Sequence, residues 1–287
     1  SIQYKMYQLT TRMIPVALLL VVLAFENVEC WTTTAPRAMT SAGTGAGTIV
    51  LSRRTTFLAS STIDDDTTST EEESAASDSS VDERIAESLN ILYSAAETKS
   101  EDSDKVVDAL LDLEKLQRQK NKADPTTSDA TLDALSGNGG GSWRLIFTTG
   151  TIDTQKKTGT RINYFPVKAT QSFNKGIGPW YIENGIYLGD FPIIKFSGDF
   201  DWTLQKSGVT KLTFDFSALQ LFGTWDITLK KGEAAGLGAK SGLGSENNVK
   251  LEEQGKRAFF NWISADGKIA TARGGGGGLA LWKRVDY

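Results

Sequence analysis

The sequence contains no histidine, and Cys30 is its only cysteine among 287 residues. Ser-His-Asp and Cys-His catalysis both require a histidine, and the usual structural zinc sites are built from histidine and cysteine. These classes of site are therefore excluded. We predict no metal site and no cofactor, and any enzyme built on this chain would have to use carboxylates, lysine, tyrosine or hydroxyl groups.

Phosphate-binding loops are also missing, although the chain has 28 glycines. The "QGKR" and "DGKI" segments lack the hydroxyl residue that follows the lysine of a Walker loop, and in "GLGAKSGLGS" the lysine does not follow a glycine. The run Gly274–Gly278 precedes "LALWKR", which predicts a strand, whereas a dinucleotide fingerprint opens a helix. Nucleotide binding is therefore disfavoured. No clustered basic stripe suggests nucleic-acid binding either.

The N-terminal region predicts a cleaved signal peptide over residues 1–30. A short apolar run, "IPVALLLVVLAF", follows Lys5 and Arg12, and it is too short for a stable membrane-spanning helix. Val28 and Cys30 occupy the −3 and −1 positions of a signal-peptidase site before Trp31. An N-terminal membrane anchor is the alternative.

Residues 31–63 have the composition of an organelle transit peptide. The segment contains no Asp or Glu, is rich in Ser and Thr, and carries Arg37, Arg53 and Arg54. A signal peptide followed directly by a transit peptide resembles the presequences of algae with a secondary plastid. We therefore expect a plastid location, and a disordered linker in a secreted protein is the alternative.

Two helices are predicted after an acidic segment, residues 64–80, that reads as a disordered linker. Apolar residues recur at helical spacing between residues 82 and 122, first Ile85, Leu89 and Leu92, then Val106, Leu110, Leu113 and Leu116. Each helix has one apolar stripe. We expect this helical pair to pack on the main domain.

From residue 142 to 286 the pattern changes to the alternation of β-strands. Apolar residues share one face in four segments: Trp143, Leu145 and Phe147; Phe200, Trp202 and Leu204; Leu212, Phe214 and Phe216; Trp225, Ile227 and Leu229. Further short strands about ten residues apart favour an antiparallel barrel or sandwich. A barrel of about eight strands is just wide enough to be filled by such side chains or to hold one small apolar ligand.

Charge separates the same two regions, since the helical region is acidic and the β region is mildly basic. This division suits docking of the helices on the barrel, or of the barrel on an anionic membrane surface.

One pair of carboxylates is a candidate for acid–base chemistry. Asp199 and Asp201 lie on the same face of a predicted strand, and a tryptophan-rich β protein with such a pair could act on or bind carbohydrate. The alternative is the solvated face of an amphipathic strand, which we favour. We therefore predict no catalytic residues.

A set of large aromatic residues provides the candidate ligand-lining side chains. They either line a cavity or interlock as a solid core, and sequence patterns alone leave both open. The set comprises Trp143, Phe147, Phe200, Trp202, Phe214, Phe216 and Trp225.

The order of these features resembles the plastid lipid-associated proteins, the fibrillins. The resemblance covers roughly residues 80–284 and is carried by "LLDLEKLQRQKNKADPT", "SWRLIFTTG" and "FFNWISADGKIATARGGGGGLALWKR". Asp266, Arg273 and Gly274 match its C-terminal motif, and we expect Arg273 to be a structural residue whose partner is Asp266. The Gly-rich segments 232–244 and 274–278 depart from the family pattern.

The resemblance implies a lipocalin-like antiparallel β-barrel, located in a plastid at plastoglobules or thylakoid membranes, that is not an enzyme. It implies binding or shielding of a carotenoid, a quinone or an acyl lipid, with peripheral attachment to a membrane or lipid droplet. The alternative is a structural coat protein with a filled barrel. The closing "LALWKR" strand is expected to complete the barrel, with the glycines as a hinge or bulge before it.

Overall fold

The computed structural model describes residues 70–137, 141–176, 178–241 and 245–285. The predicted signal peptide and transit peptide lie outside the described residues. The first helix begins at Thr70, so the part of the acidic segment from residue 70 to 80 is helical, where we predicted a disordered linker.

Three helices precede the barrel, one more than the predicted pair. They are α1 (Thr70–Thr98), α2 (Ser103–Ala123) and α3 (Thr126–Ser136). The Asp102 carboxylate caps α2 by accepting hydrogen bonds from the backbone N–H groups of Asp104 and Lys105. The short α3 follows Pro125 and has too few apolar residues to stand out from a loop in the sequence.

Ten strands follow among the described residues, with three short helices between them. The strands are β1 (Gly141–Thr148), β2 (Asn163–Tyr164), β3 (Lys168–Asn174), β4 (Tyr181–Leu188), β5 (Phe191–Leu204), β6 (Thr210–Leu221), β7 (Trp225–Thr228), β8 (Ala258–Ala265), β9 (Ile269–Gly274) and β10 (Leu279–Arg284). The helices are α4 (Ile152–Thr158), α5 (Glu233–Ser241) and α6 (Glu246–Glu253).

Eight of the strands close into an antiparallel barrel, which confirms the predicted fold class. The ring runs β1-β3-β4-β5-β6-β8-β9-β10 and returns to β1, while β2 and β7 pair on its margins with β1 and β6. The final strand closes the barrel as predicted, because β10 pairs with both β9 and β1. Closure leaves no exposed sheet edge along the ring.

The helical pair packs on the outside of this barrel, as predicted. Leu92, Ala96, Val106, Leu110 and Leu113 form a buried cluster with side chains of β1, β8, β9 and β10. Ion pairs tie the acidic helices to the barrel and its loops, among them Lys283–Glu97 at 2.6 Å between Nζ and Oε2. Charge therefore supports the docking that apolar burial drives.

One end of the barrel is filled. Phe173, Phe200, Leu212, Trp262 and Trp143 interlock there, with Phe173 packed edge-on against both Phe200 and Trp262. Helix α3 covers this end with Leu132 and Leu135, and the Trp143 indole Nε1–H donates to the Leu135 carbonyl at 2.8 Å. We call this the filled end.

Candidate functional site

The opposite half of the barrel encloses a cavity of about 350 Å³. Its inner wall is mainly aromatic and aliphatic, since alternate residues of the strands point inward. The apolar lining includes Leu145, Phe165, Ile186, Ile194, Phe196, Phe214, Phe216, Ala258, Phe260, Ala280 and Trp282. Phe214 and Phe260 stack at 5.2 Å between ring centroids, which makes part of the wall rigid.

The cavity reaches the end of the barrel that we call the mouth, formed by α4, α5, α6 and the turn between β9 and β10. Thr151 and Thr154 line it from α4 and its cap, Ala234 and Gly238 from α5, and Glu252 from α6. Two of the three short helices, α4 and α6, begin at local capping signals that were not recognised in the sequence. Thr151 caps α4, and Ser245 caps α6.

The five-glycine run forms the tight turn between β9 and β10 at this mouth. The Gly274 N–H donates to the Gly278 carbonyl at 2.8 Å, and the Ile152 N–H donates to the Gly276 carbonyl at 3.0 Å. A Cβ on Gly278 would lie 2.1 Å from the Gly150 carbonyl oxygen. The turn therefore packs directly on the segment before α4, and a side chain at Gly278 is excluded by the close approach of two backbones.

Arg273 anchors the glycine turn to helix α2, so the predicted pairing of Arg273 with Asp266 is wrong. Its guanidinium donates through Nε and Nη2 to the Glu114 carboxylate, with Nη2 and Oε2 2.5 Å apart, and through Nη1 to the Gly277 carbonyl. Glu114 is a buried carboxylate and also pairs with Arg118. The two arginines compensate the cost of its burial.

Asp266 instead organises the turn between β8 and β9. Its Oδ1 accepts hydrogen bonds from the Lys268 and Ile269 N–H groups, and its Oδ2 accepts one from the Tyr93 hydroxyl at 2.6 Å. Burial, together with this bond to a carboxylate, raises the pKa of Tyr93 to about 12. Asp266 thus joins the barrel to helix α1 and does not line the cavity.

Two of the seven predicted lining aromatics, Phe214 and Phe216, line the cavity. Trp143 and Phe200 belong to the filled end, and Trp202 packs against it while its indole Nε1–H donates to the Ser128 hydroxyl.

The prediction that Phe147 lines the cavity is wrong. A β-bulge between Leu145 and Phe147 reverses the alternation of β1, so that Phe147 packs outward against the helices while Leu145 stays inward. Trp225 is 42% exposed on the outside of the barrel, so its placement in the lining is also wrong.

Several lining residues were missed, although their alternation was present in the sequence. Phe260 and Trp282 share the inward face of their strands with core residues, and Phe196 alternates with Lys195. The pattern shows one apolar face for each strand. It does not show at which height of the barrel each residue lies.

The candidate carboxylates Asp199 and Asp201 are exposed on the outer face and do not line the cavity. Arg257 pairs with both, at 2.6 Å and 2.5 Å between its terminal nitrogens and one oxygen of each carboxylate. This arrangement is a solvated strand face with an ion pair, and it gives the carbohydrate hypothesis no support. No group of three or more His, Cys, Asp or Glu side chains that could hold a metal ion occurs within the described ranges.

A patch of exposed apolar side chains, which we call the apolar rim, extends beyond the mouth on the β4–β5 and β6–β7 turns. Leu188 and Phe191 are 74% and 52% exposed. Phe222, which has a φ of 52°, stacks on Phe191 at 6.4 Å between ring centroids and contacts Trp225 edge-on at 5.8 Å. Holding a phenylalanine in this backbone region costs free energy, so the neighbouring structure must impose it.

Comparisons with protein-family models, with curated proteins and with solved structures found no match to this chain. The described helices include none with the combined length and apolarity needed to cross a membrane. The geometry defines a closed antiparallel β-barrel with one filled half and one half that holds an aromatic-walled cavity.

Proposed function

We propose that this barrel binds an apolar small molecule in its cavity, as a carrier or store without covalent chemistry. The observation that carries the proposal is the cavity of about 350 Å³ walled by aromatic and aliphatic side chains. Volumes of this order are typical of small-molecule sites, and such sites combine apolar walls with a few polar groups. We propose no enzymatic activity.

Burial of apolar surface supplies the driving force for this binding. A ligand that buries roughly 200 Å² of apolar surface, about that of one large aromatic side chain, gains about 5 kcal/mol before the cost of ordering. Because the walls are packed aromatics, little reorganisation is needed on binding.

The proposed setting is a plastid, with the protein acting at plastoglobules or thylakoid membranes as a fibrillin-type lipid-associated protein. The support is the composition of residues 1–63 and the family resemblance of residues 80–284. A carotenoid, a quinone or an acyl lipid is the proposed class of ligand. Mass spectrometry of lipids that co-purify with the protein from its native plastid would identify it.

Two matched variants, in each of which one alanine is replaced by leucine, test the cavity directly. Ala258 lines the cavity, so Ala258→Leu fills part of it, whereas Ala130 is exposed on α3 and Ala130→Leu adds the same atoms outside the barrel. Tryptophan fluorescence is a suitable readout because Trp282 lies in the wall. We expect a short-chain quinone or a fatty acid to bind the wild type and Ala130→Leu equally, and Ala258→Leu at least about tenfold more weakly.

Equal binding by all three proteins would place the ligand outside the cavity and overturn the carrier proposal. Absence of any fluorescence response in the wild type to carotenoid, quinone and fatty acid would have the same consequence.

The second proposed function is that of a coat protein on plastid lipid bodies or thylakoids. The apolar rim favours it, because contiguous exposed aromatic side chains are typical of surfaces that bind membranes or partners. Its position beside the mouth also suits transfer of a ligand between a lipid surface and the cavity.

Flotation with vesicles of phosphatidylcholine and anionic phosphatidylglycerol tests this second function. Phe191→Ser together with Trp225→Ser removes two exposed aromatics of the rim, and Leu111→Ser is the control because Leu111 is 44% exposed on α2. We expect the rim variant to lose flotation and the control to keep it. If both variants float like the wild type, the rim is not the attachment surface.

A further inference from the structure

The cavity contains a pair of amide side chains that its apolar character does not explain. Gln171 in β3 and Asn184 in β4 are directly opposite each other in the antiparallel register, and Asn184 is opposite Phe196 of β5. Gln171 is also opposite Trp143 of the core. Both amides therefore belong to an inward-facing row of the barrel, and both line the cavity.

The oxygen atoms of these amides lack hydrogen-bond partners among the described residues. Gln171 is only 8% exposed, and neither its Oε1 nor the Oδ1 of Asn184 accepts a hydrogen bond from any residue that the structure describes. Most buried polar atoms in proteins are paired, because leaving an acceptor both unpaired and away from water costs free energy. Both side chains line the same cavity from adjacent strands, so the two unpaired acceptors indicate a ligand that supplies the donor once an amide turns toward it.

The position of the two amides along the barrel axis indicates how that ligand is oriented. The next inward row toward the filled end contains Phe173 and Ile182, and the next row toward the mouth contains Ile186 and Ile194. The amide pair is thus at the inner end of the cavity, with apolar walls between it and the mouth.

We propose that the cavity binds an apolar molecule with a hydroxyl group at one end, and that this hydroxyl enters first and donates to Gln171 or Asn184. The inference rests on the proposed function of the cavity and adds the chemical class of the ligand. It excludes pure hydrocarbons as preferred ligands, because they would leave both amide oxygens unpaired.

Three naphthalene probes distinguish the contribution of a hydrogen-bond donor from that of the apolar ring. 2-Naphthol offers an O–H donor, 2-methoxynaphthalene keeps the oxygen but cannot donate, and 2-methylnaphthalene replaces the hydroxyl by a methyl group of similar size. We expect the full-length protein to bind 2-naphthol about tenfold more tightly than either of the other probes, measured by tryptophan fluorescence.

The double variant Gln171→Met, Asn184→Leu should lose this preference and still bind 2-methylnaphthalene at least as tightly as the wild type. Retained binding of that probe also shows that the variant is folded. If the double variant keeps the tenfold preference, or the wild type never shows it, the assignment of the amide pair is overturned while the apolar cavity stands. If none of the probes binds the wild type, the proposed function itself fails, and this inference fails with it.

Discussion

Replacing the last glycine of the β9–β10 turn should destabilise the protein strongly, while replacing the first glycine of the same run should not. At Gly278 the Cβ of an alanine would lie 2.1 Å from the Gly150 carbonyl oxygen and 2.8 Å from its carbon. Real Cβ contacts essentially never come closer than 3.0 Å, so the two backbone segments would have to separate by roughly 1 Å.

The stability lost in Gly278→Ala depends on which backbone segments must move apart. Gly150 and Gly278 lie on segments linked by backbone hydrogen bonds, including the Thr149 N–H to Leu279 carbonyl bond of 3.0 Å, so neither can yield alone. Overpacking of this kind costs about 3 kcal/mol, which for a chain of this size lowers Tm by about 6–12 °C.

Gly274→Ala is the matched control. Its Cβ would meet nothing closer than 3.8 Å, and its φ is not in the left-handed region. We expect stability equal to the wild type or higher by up to about 1 kcal/mol, because alanine restricts the unfolded chain. Gly277→Ala should fall between the two, since Gly277 has a φ of 83° and its Cβ would contact the flexible end of Ile152.

Thermal unfolding of the three variants, followed by circular dichroism, provides the test. We expect the highest Tm for Gly274→Ala, an intermediate Tm for Gly277→Ala and the lowest Tm for Gly278→Ala. Equal Tm values for Gly278→Ala and Gly274→Ala would refute the close packing of the turn on the segment before α4.

The remaining predictions concern the contacts that join the helices to the barrel. Glu114→Gln should cost about 1–3 kcal/mol in urea unfolding, because Arg273 loses its ionic partner; an unchanged midpoint would contradict an anchoring role for the pair. The pKa of Tyr93 is raised to about 12 in the folded state. Its contribution to the free energy of unfolding is therefore complete below pH 10 and is lost as the pH rises toward 12. Tyr93→Phe should therefore flatten the decline of stability over that range, and equal slopes would contradict the bond to Asp266. Trp143→Phe should lower the free energy of unfolding by about 2 kcal/mol, because indole volume is lost and the Leu135 carbonyl on α3 is left unpaired. Chemical denaturation measures this loss. Unchanged stability would mean that this contact does not hold α3 in place.

Much of the fold could be predicted from residue patterns. The alternation in β5 and β6 and the helical spacing in α1 and α2 reflect elements that bury one face, and burial is what such patterns record. Helix α3 has few apolar residues, and helices α4 to α6 are short, so none of them had a comparable signal.

The candidate site was predicted less completely, and β1 shows why. Trp143, Leu145 and Phe147 alternate in sequence, but one bulge places Phe147 among the helices and leaves Leu145 in the cavity. The bulge is in the pairing with strand β10, which a local pattern does not contain. The pairing of Arg273 with Glu114 was missed for a similar reason, because the two residues are far apart in the chain.

The amino-acid sequence by itself determined which residues seek burial, where the strands of the barrel run, and which catalytic and metal chemistries are excluded. It could do so because burial periodicity and residue chemistry are local properties. Only the tertiary structure decided which half of the barrel is filled and which is hollow, and that Gln171 faces Asn184 there. Register, bulges and the approach of two backbones at the glycine turn depend on several strands at once, so they exist only in the folded chain.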